Sequence, residues 1–340
     1  MEFTVIIMGR FEFKNTRSIL KAKEVIEHLM ETRYKKESLY KDIEVFDEER
    51  LTFIAPRQKF LCTDKVWQNT VHLFEQTAQF AIAGDVRLWK IHPEKGTLQQ
   101  YERVEPRSDK TVIKAYMKGR RLLGEEKYME AQEAFSDTIK RFDRHAMAME
   151  CRAYTHYVLG DIDDALTDYA ASIAIDNKRP EAFLGRGIIF MKQHKWADAI
   201  SDLTTAMKRS MPHHDVYLEA LHRKGQCEME VGEFDKAIAS FNFFLSRPLL
   251  ENHPQFPFRR QVSFDKGRAL AAKAEHKDSI GYFNAALKMP GKNGLPTKAE
   301  ILLHRGLASQ QNGQKGFLND WKEAANEGSK RAAELLAAEG

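Results

Sequence analysis

The sequence predicts a mainly α chain, a superhelical solenoid of helical hairpins preceded by a small α+β domain. Three observations carry this. A pattern of small and large residues recurs from Gly119 onward with an initial period of 34. Turn residues fall at the middle of each unit. The first hundred residues lack the pattern and instead alternate β-branched stretches with amphipathic ones.

The N-terminal stretch Phe3 to Phe13 is rich in β-branched and aromatic residues and reads as a strand. From Thr16 to about Lys36, Ile19, Leu20, Val25, Ile26, Leu29 and Met30 recur at helical spacing, with Asn15 or Thr16 as the cap. Ile43 to Phe46 and Leu51 to Ile54 flank Asp47-Glu48-Glu49-Arg50 and suggest a hairpin. Asp64 is placed to cap a helix reaching about Ala83, with Val66, Trp67, Val71, Phe74, Ala78 and Ile82 on one side. Val86 to Ile91 and Thr97 to Val104 surround the turn Pro93-Glu94-Lys95-Gly96. The order β-α-β-β-α-β-β fits two helices on one face of an antiparallel sheet, a ferredoxin-like order with one strand added. The domain is assigned to residues 1–106, since Pro106 stops the last strand and Ser108 or Asp109 can cap the next helix.

The repeat occupies 107–326. Offsets of 9, 12, 16 and 19 from Gly119 meet Tyr128, Ala131, Phe135 and Thr138. From Ala153 they meet Ile162, Ala165, Tyr169 and Ser172, and from Gly187 they meet Trp196, Ala199, Leu203 and Ala206. Gly225, Gly267 and Gly306 start three further units, after spacings of 38, 42 and 39. The added residues fall in Pro212 to Asp215, Pro248 to Pro257 and Pro290 to Pro296, which read as longer connections. Small residues let two helices approach, and the large residues between them fill the groove. Gly124, Gly160-Asp161, His194, Gly232-Glu233 and Gly313 supply the turns. In the sixth unit the offsets put Lys315 and Lys322 at large-residue places, with Trp321 one residue early. Residues 327–340 read as a capping helix over the last apolar face.

A 34-residue helix–turn–helix of this kind resembles the tetratricopeptide repeat, and "GDIDDALTDYAASIAID" (160–176) and "KWADAISDLTTAM" (195–207) carry the resemblance best. The resemblance implies a protein-binding scaffold whose first helices line a concave groove. Helical geometry then selects the stripe: Tyr116, Arg120, Met147, Glu150, Tyr154, Tyr157, Leu184, Ile188, Met191, His222, Gln226, Met229, Phe264 and Arg268. Two readings compete for it. Its apolar members may pack on neighbouring helices or on the N-terminal domain, or they form a groove for a peptide or helix anchored by Tyr and Met. The groove reading is the one adopted. Some co-chaperones of the family grip a terminal carboxylate with Lys, Asn and Arg; here the first three units offer only Arg120, beside Glu150 and Glu181, which argues against such a clamp. Glu150, Glu181 and Glu219 suggest a partly positive ligand.

Other chemistry is excluded or left without support. Phosphate-binding loops, dinucleotide fingerprints, zinc-protease motifs and nucleophile elbows do not occur, so neither catalysis nor a cofactor is expected. Asp161-Ile162-Asp163-Asp164 lacks the glycine and terminal glutamate of a calcium loop, and His213-His214 reads as solvated rather than metal-binding. A net charge of +4, divided as +1 over residues 1–107 and +3 over the rest, argues against nucleic acid. No run approaches the roughly 18–20 apolar residues of a membrane helix. Three scattered cysteines, no leader pattern and no glycosylation sequon point to the cytoplasm. The expected function is a non-enzymatic interaction scaffold for a protein or peptide. The alternative makes the N-terminal domain an enzyme or nucleotide or RNA binder that the repeats position. A third reading is self-association.

Overall fold

A computed structural model describes residues 2–35, 37–39, 45–107, 110–212, 214–249 and 251–339. The chain forms two compact units, Met1–Ala182 and Phe183–Gly340.

The first unit opens with β1 (Glu2–Glu12), α1 (Thr16–Thr32), β2 (Phe46–Asp47), β3 (Thr52–Thr63), α2 (Asp64–Ala78), β4 (Ala83–Ile91) and β5 (Leu98–Val104). The five strands lie in the order β2-β3-β1-β4-β5, with all paired neighbours antiparallel. This is the split arrangement of a ferredoxin-like sheet, with β5 added outside β4. Alternation along the strands sends Val5, Ile7, Phe11, Val86 and Leu88 to one face, where they bury against Ile19, Ala22 and Ile26 of α1 and Trp67 and Phe74 of α2. Each such side chain contributes about 1.5–3 kcal/mol when fully buried.

Several local expectations need correction. The first helix stops at Thr32. Its cap is Asn15, whose side chain accepts the Ser18 N–H at 3.0 Å. The second helix is capped by Thr63 rather than Asp64 and ends at Ala78. The third strand runs on to Thr63, nine residues past the expected end at Ile54. Pro56 and the polar run Arg57-Gln58-Lys59 concealed it. They are tolerated because the register with β1 shifts between the pairs Gly9–Ala55 and Ile7–Gln58, a bulge that has no need of the proline's missing N–H. Gly84 is required by close approach: it has φ +91°, and a Cβ there would lie 2.1 Å from the Arg10 carbonyl oxygen. Residues 43–44, Ser108, Asp109 and His213, on which other expectations fell, lie outside the described residues.

The same unit continues with two helical hairpins, α3 (Thr111–Gly124) with α4 (Tyr128–Arg141) and α5 (Ala146–Leu159) with α6 (Ile162–Ile175). Next is α7 (Pro180–Lys192). The second unit holds α8 (Trp196–Arg209), then the hairpins α9 (Asp215–Glu230) with α10 (Phe234–Leu245), α11 (Phe258–Ala272) with α12 (His276–Leu287), and α13 (Lys298–Gln311) with α14 (Phe317–Asn326), and finally α15 (Lys330–Glu339).

One device builds every hairpin. Gly119, Gly187, Gly225 and Gly267 face Phe135, Leu203, Phe241 and Phe283, each sixteen residues on. A Cβ at Gly225 would stand 2.5 Å from the Phe241 ring, so only glycine admits that ring. Seven residues after each small residue the backbone turns left-handed: Glu126, Gly160, His194, Gly232, Ala274 and Gly313 all have positive φ. The N–H of the very next residue closes the helix by bonding back to its last turn, as from Asp161 to the His156 carbonyl at 2.9 Å and from Glu233 to the Glu228 carbonyl at 2.8 Å. The first turn therefore centres on Glu126. Gly124, expected to make it, is the last residue of α3. Bidentate pairs tie the two helices of a hairpin, Arg152 to Asp168 and Arg186 to Asp202 at 2.7–2.9 Å.

The sixth hairpin departs by one residue. Trp321, not Lys322, fills the space at Gly306, where a Cβ would lie 2.5 Å from its ring. Asp320, likewise one place early, receives Arg305. The connection before α14 covers residues 312–316, and the second helix packs one residue out of register with the other hairpins. Helix α15 packs Ala332, Leu335 and Leu336 onto Trp321, Leu302 and Ala324.

Candidate functional site

In the first unit part of the selected stripe, around Tyr116, Met147 and Glu150, is covered, and the covering surface is the chain's own sheet. Alternate residues of β4, Asp85 and Arg87, point away from the helix-covered face. Asp85 accepts from Arg87 Nε at 2.9 Å and from Arg179 Nη1 at 3.2 Å, and also pairs with Arg103 of β5. Arg179 Nε donates to Glu150 at 2.9 Å, and Arg87 Nη1 lies 2.7 Å from Glu181. Glu105 pairs with Arg103 at 3.0 Å and with Arg120 at 2.7 Å. Four cations and four carboxylates thus close on one another between the sheet and the first two hairpins.

Burial alone would push the Asp85 carboxyl up, but Arg87, Arg103 and Arg179 together hold it well below the usual carboxylate range. Arg179 is itself raised, since Glu150, Glu181 and Asp85 outweigh its burial. Glu150 goes the other way, raised by burial that Arg179 offsets only in part. Tyr116 is buried between Phe135 at 6.1 Å and His145 at 4.6 Å between ring centroids. Met147 is buried beside Phe135. Tyr116 and Met147 are therefore interior to the first unit, Glu150 sits within its ion pairs, and Arg120 stands half-exposed at their edge. As an open peptide groove, this part of the stripe is corrected by the sheet that fills it.

A second buried group sits nearby. Glu12 ends β1 with its carboxylate between Arg10 and Arg144, the latter at 3.4 Å. Burial pushes it up to about 7 from 4.5, against the pull of both arginines. Between those values the folded chain holds a proton that the unfolded chain has released, so stability falls as pH rises through the window. Burial lowers His145 to about 3 and His304 to about 4, and these act oppositely: their stability is lost as pH falls below about 6.5. Glu12→Gln should isolate the first effect. Relative to that variant the wild type is expected to lose about 2–3 kcal/mol between pH 5 and 8. Urea unfolding across pH measures it, and parallel profiles would refute the assignment.

In the second unit the stripe borders a cavity at His222 and Gln226, while Leu184 and Phe264 are buried. Asp265 of α11, its side chain 2% exposed, accepts from His222 Nε2 at 2.9 Å, Gln226 Nε2 at 2.9 Å and Gln261 Nε2 at 3.0 Å. Arg268 Nη1 stands 3.8 Å from it. The His222 ring is packed among Phe241, Phe244 and Phe258. Phe264 is buried against Phe283 and His304, and Met229 packs partly buried beside the same hairpin's core. A cavity of about 280 Å³ is lined by His222, Arg223 and Gln226 of α9, Pro257, Phe258 and Gln261 at the start of α11, and Lys292, Asn293 and Leu295 of the following connection.

The structure thus joins His222, Gln226 and Arg268 through one buried carboxylate that sequence reasoning did not single out. Tyr154 is exposed and Tyr157 half-buried on α5; Leu184 is buried and Ile188 and Met191 half-buried on α7. The acidic residues expected to attract a positive ligand are spoken for: Glu150 and Glu181 by Arg179 and Arg87, and Glu219 by Arg223 at 3.4 Å. That expectation of ligand charge is withdrawn. Asp85 and Arg87 were legible as charges alternating with Val86 and Leu88 on a strand, but their partner Arg179 lies over ninety residues away.

A family model for the tetratricopeptide repeat matches residues 116–180 and 222–296. Solved structures share the hairpin array. PilW, a widely conserved type IV pilus biogenesis factor, is 17% identical, with 67% of this chain and 100% of that chain covered and a TM-score of 0.54. PilF of Pseudomonas aeruginosa is 15% identical, with 67% and 97% covered and a TM-score of 0.54. YrrB, a TPR protein with an unusual peptide-binding site, is 16% identical, with 62% and 100% covered and a TM-score of 0.50. At such identities the likeness is one of fold. Comparison with curated proteins finds no match. Over those two stretches the hairpins match the tetratricopeptide repeat, and the array shares the fold of these repeat proteins. Among the described residues no helix is long and apolar enough to cross a membrane.

Proposed function

We propose that this chain is a non-enzymatic scaffold that takes a peptide or helix of a partner protein along the first helices of its later repeats. The single observation that supports it is a contrast along one stripe. In the first two hairpins Tyr116, Met147 and Glu150 of the stripe are covered by the chain's own sheet, whose Asp85, Arg87, Arg103 and Glu105 form the ion pairs there. In the hairpins of α9 and α11 the stripe opens on a cavity of about 280 Å³ with an apolar seat and hydrogen-bonding amides. In this reading residues 1–106 form a fixed N-terminal domain, 107–326 six repeats and 327–340 the cap. The helix-free sheet face, where an RNA-binding sheet would stack bases, carries instead the charges that hold the hairpins, which weighs against nucleic acid. Three free and widely separated thiols fit a reducing compartment such as the cytoplasm.

Affinity purification with quantitative mass spectrometry tests the reading. Gln261→Ala with Leu295→Ser should lose a partner that the wild type captures, with helical circular dichroism unchanged. Tyr154→Ala with Met191→Ala, on α5 and α7, asks whether the binding stripe extends to those helices. Undiminished capture by both pairs would remove the groove from the mechanism.

A further inference from the structure

We infer that the cavity between α9, α11 and the connection after α12 selects an acidic peptide segment, one carrying an Asp or Glu side chain next to a large apolar one. The inference deepens the groove reading above and rests on it.

The chemistry of the walls decides the ligand. Gln226 and Gln261 line the cavity with their amide nitrogens committed to Asp265. What each can bring to a ligand is its carbonyl oxygen and its second amide N–H, an acceptor and a donor for a peptide backbone. Asp265 is buried, with His222 and both glutamines on its oxygens, so it offers little charge to an incoming group. The cations are less well matched. Among the described residues Lys292 has no carboxylate within ion-pair distance, and its ammonium instead lies 4.6 Å from the centre of the Phe258 ring. Arg223 has only Glu219 at 3.4 Å, and its buried Nε has no hydrogen-bond partner. Phe258 and the 54% exposed Leu295 supply an apolar seat beside these two cations. A carboxylate reaching Arg223 and Lys292 would satisfy both while an adjacent apolar side chain covers Phe258 and Leu295.

The test uses the full chain and an acetylated, amidated hexapeptide in which Glu alternates with Leu, followed by fluorescence anisotropy at low salt. Counterparts carry Gln or Lys in place of Glu, and a fourth peptide is the Gln form with a free C-terminus. The Glu peptide is expected to bind about fivefold more tightly than the Gln peptide, with the difference shrinking as salt is added. Lys292→Glu, in an exposed connection, should weaken the Glu peptide about five- to tenfold and leave the Gln peptide unchanged, while Lys292→Arg retains binding. Equal binding of the Glu and Gln peptides, or equal weakening of both by Lys292→Glu, overturns the acidic preference and leaves the groove standing. Tightest binding by the Lys peptide or by the free C-terminus overturns it as well. Failure of all four peptides to bind below about 1 mM also overturns it. The groove itself is then judged separately by partner capture with Gln261→Ala and Leu295→Ser.

Discussion

Arg179→Ala is expected to destabilise the first unit by about 3–5 kcal/mol, the cost of leaving buried charge without its partner. The Arg179 side chain is 5% exposed and reaches Asp85, Glu150 and Glu181 together. Its removal leaves the buried Glu150 without its cation and takes one of several cations from Asp85 and Glu181 where the sheet meets the hairpins. Arg179→Lys should recover only part of the loss, since an ammonium cannot reach several carboxylates with the geometry of a guanidinium. Native-state hydrogen exchange should show amides of β4 and α5 losing protection together. Asp85→Asn with Arg179→Met should cost less than the sum of the two single changes, because the pair is removed rather than broken. A loss below about 1 kcal/mol for Arg179→Ala would mean that the sheet is held by apolar contact alone.

The second large effect is expected at the end of the chain. Trp321→Ala should cost about 3–5 kcal/mol, the range for emptying a buried aromatic site, whereas Lys322→Ala should stay within about 0.5 kcal/mol. Trp321 is 1% exposed, abuts Gly306 and packs with Phe317 at 4.9 Å between ring centroids. The periodicity taken literally names Lys322 as the groove-filling residue. Thermal or urea unfolding of the two variants decides between the registers, and the reverse order of effects would restore the unshifted repeat.

The stripe shows how far spacing alone can carry a functional argument. Its residues were chosen by helical geometry, and the structure does set His222, Gln226 and Arg268 around one carboxylate. Helical spacing says which side chains share a face; it does not say what lies against that face. Tyr116 and Met147 satisfy the same geometric rule as Gln226, yet the former pair is buried beside the sheet. The unpredicted length of β3 has a related cause. Pro56 and its polar neighbours read locally as a loop, and only pairing with β1 across a bulge makes them strand.

The sequence by itself determined the elements that depend on near neighbours. Small residues that admit a ring sixteen places on, left-handed turns seven places on, and the alternation of β4 are all encoded within a few turns of chain, where local sterics and burial act. Only the tertiary structure decided which part of the stripe the sheet covers and which part borders a cavity. That outcome depends on Asp85 meeting Arg179, and on Lys292 and Leu295 closing over Phe258, contacts between residues far apart in the chain. Ion pairing and cavity shape depend on the position of both partners in space, and no periodicity in one strand of sequence contains that.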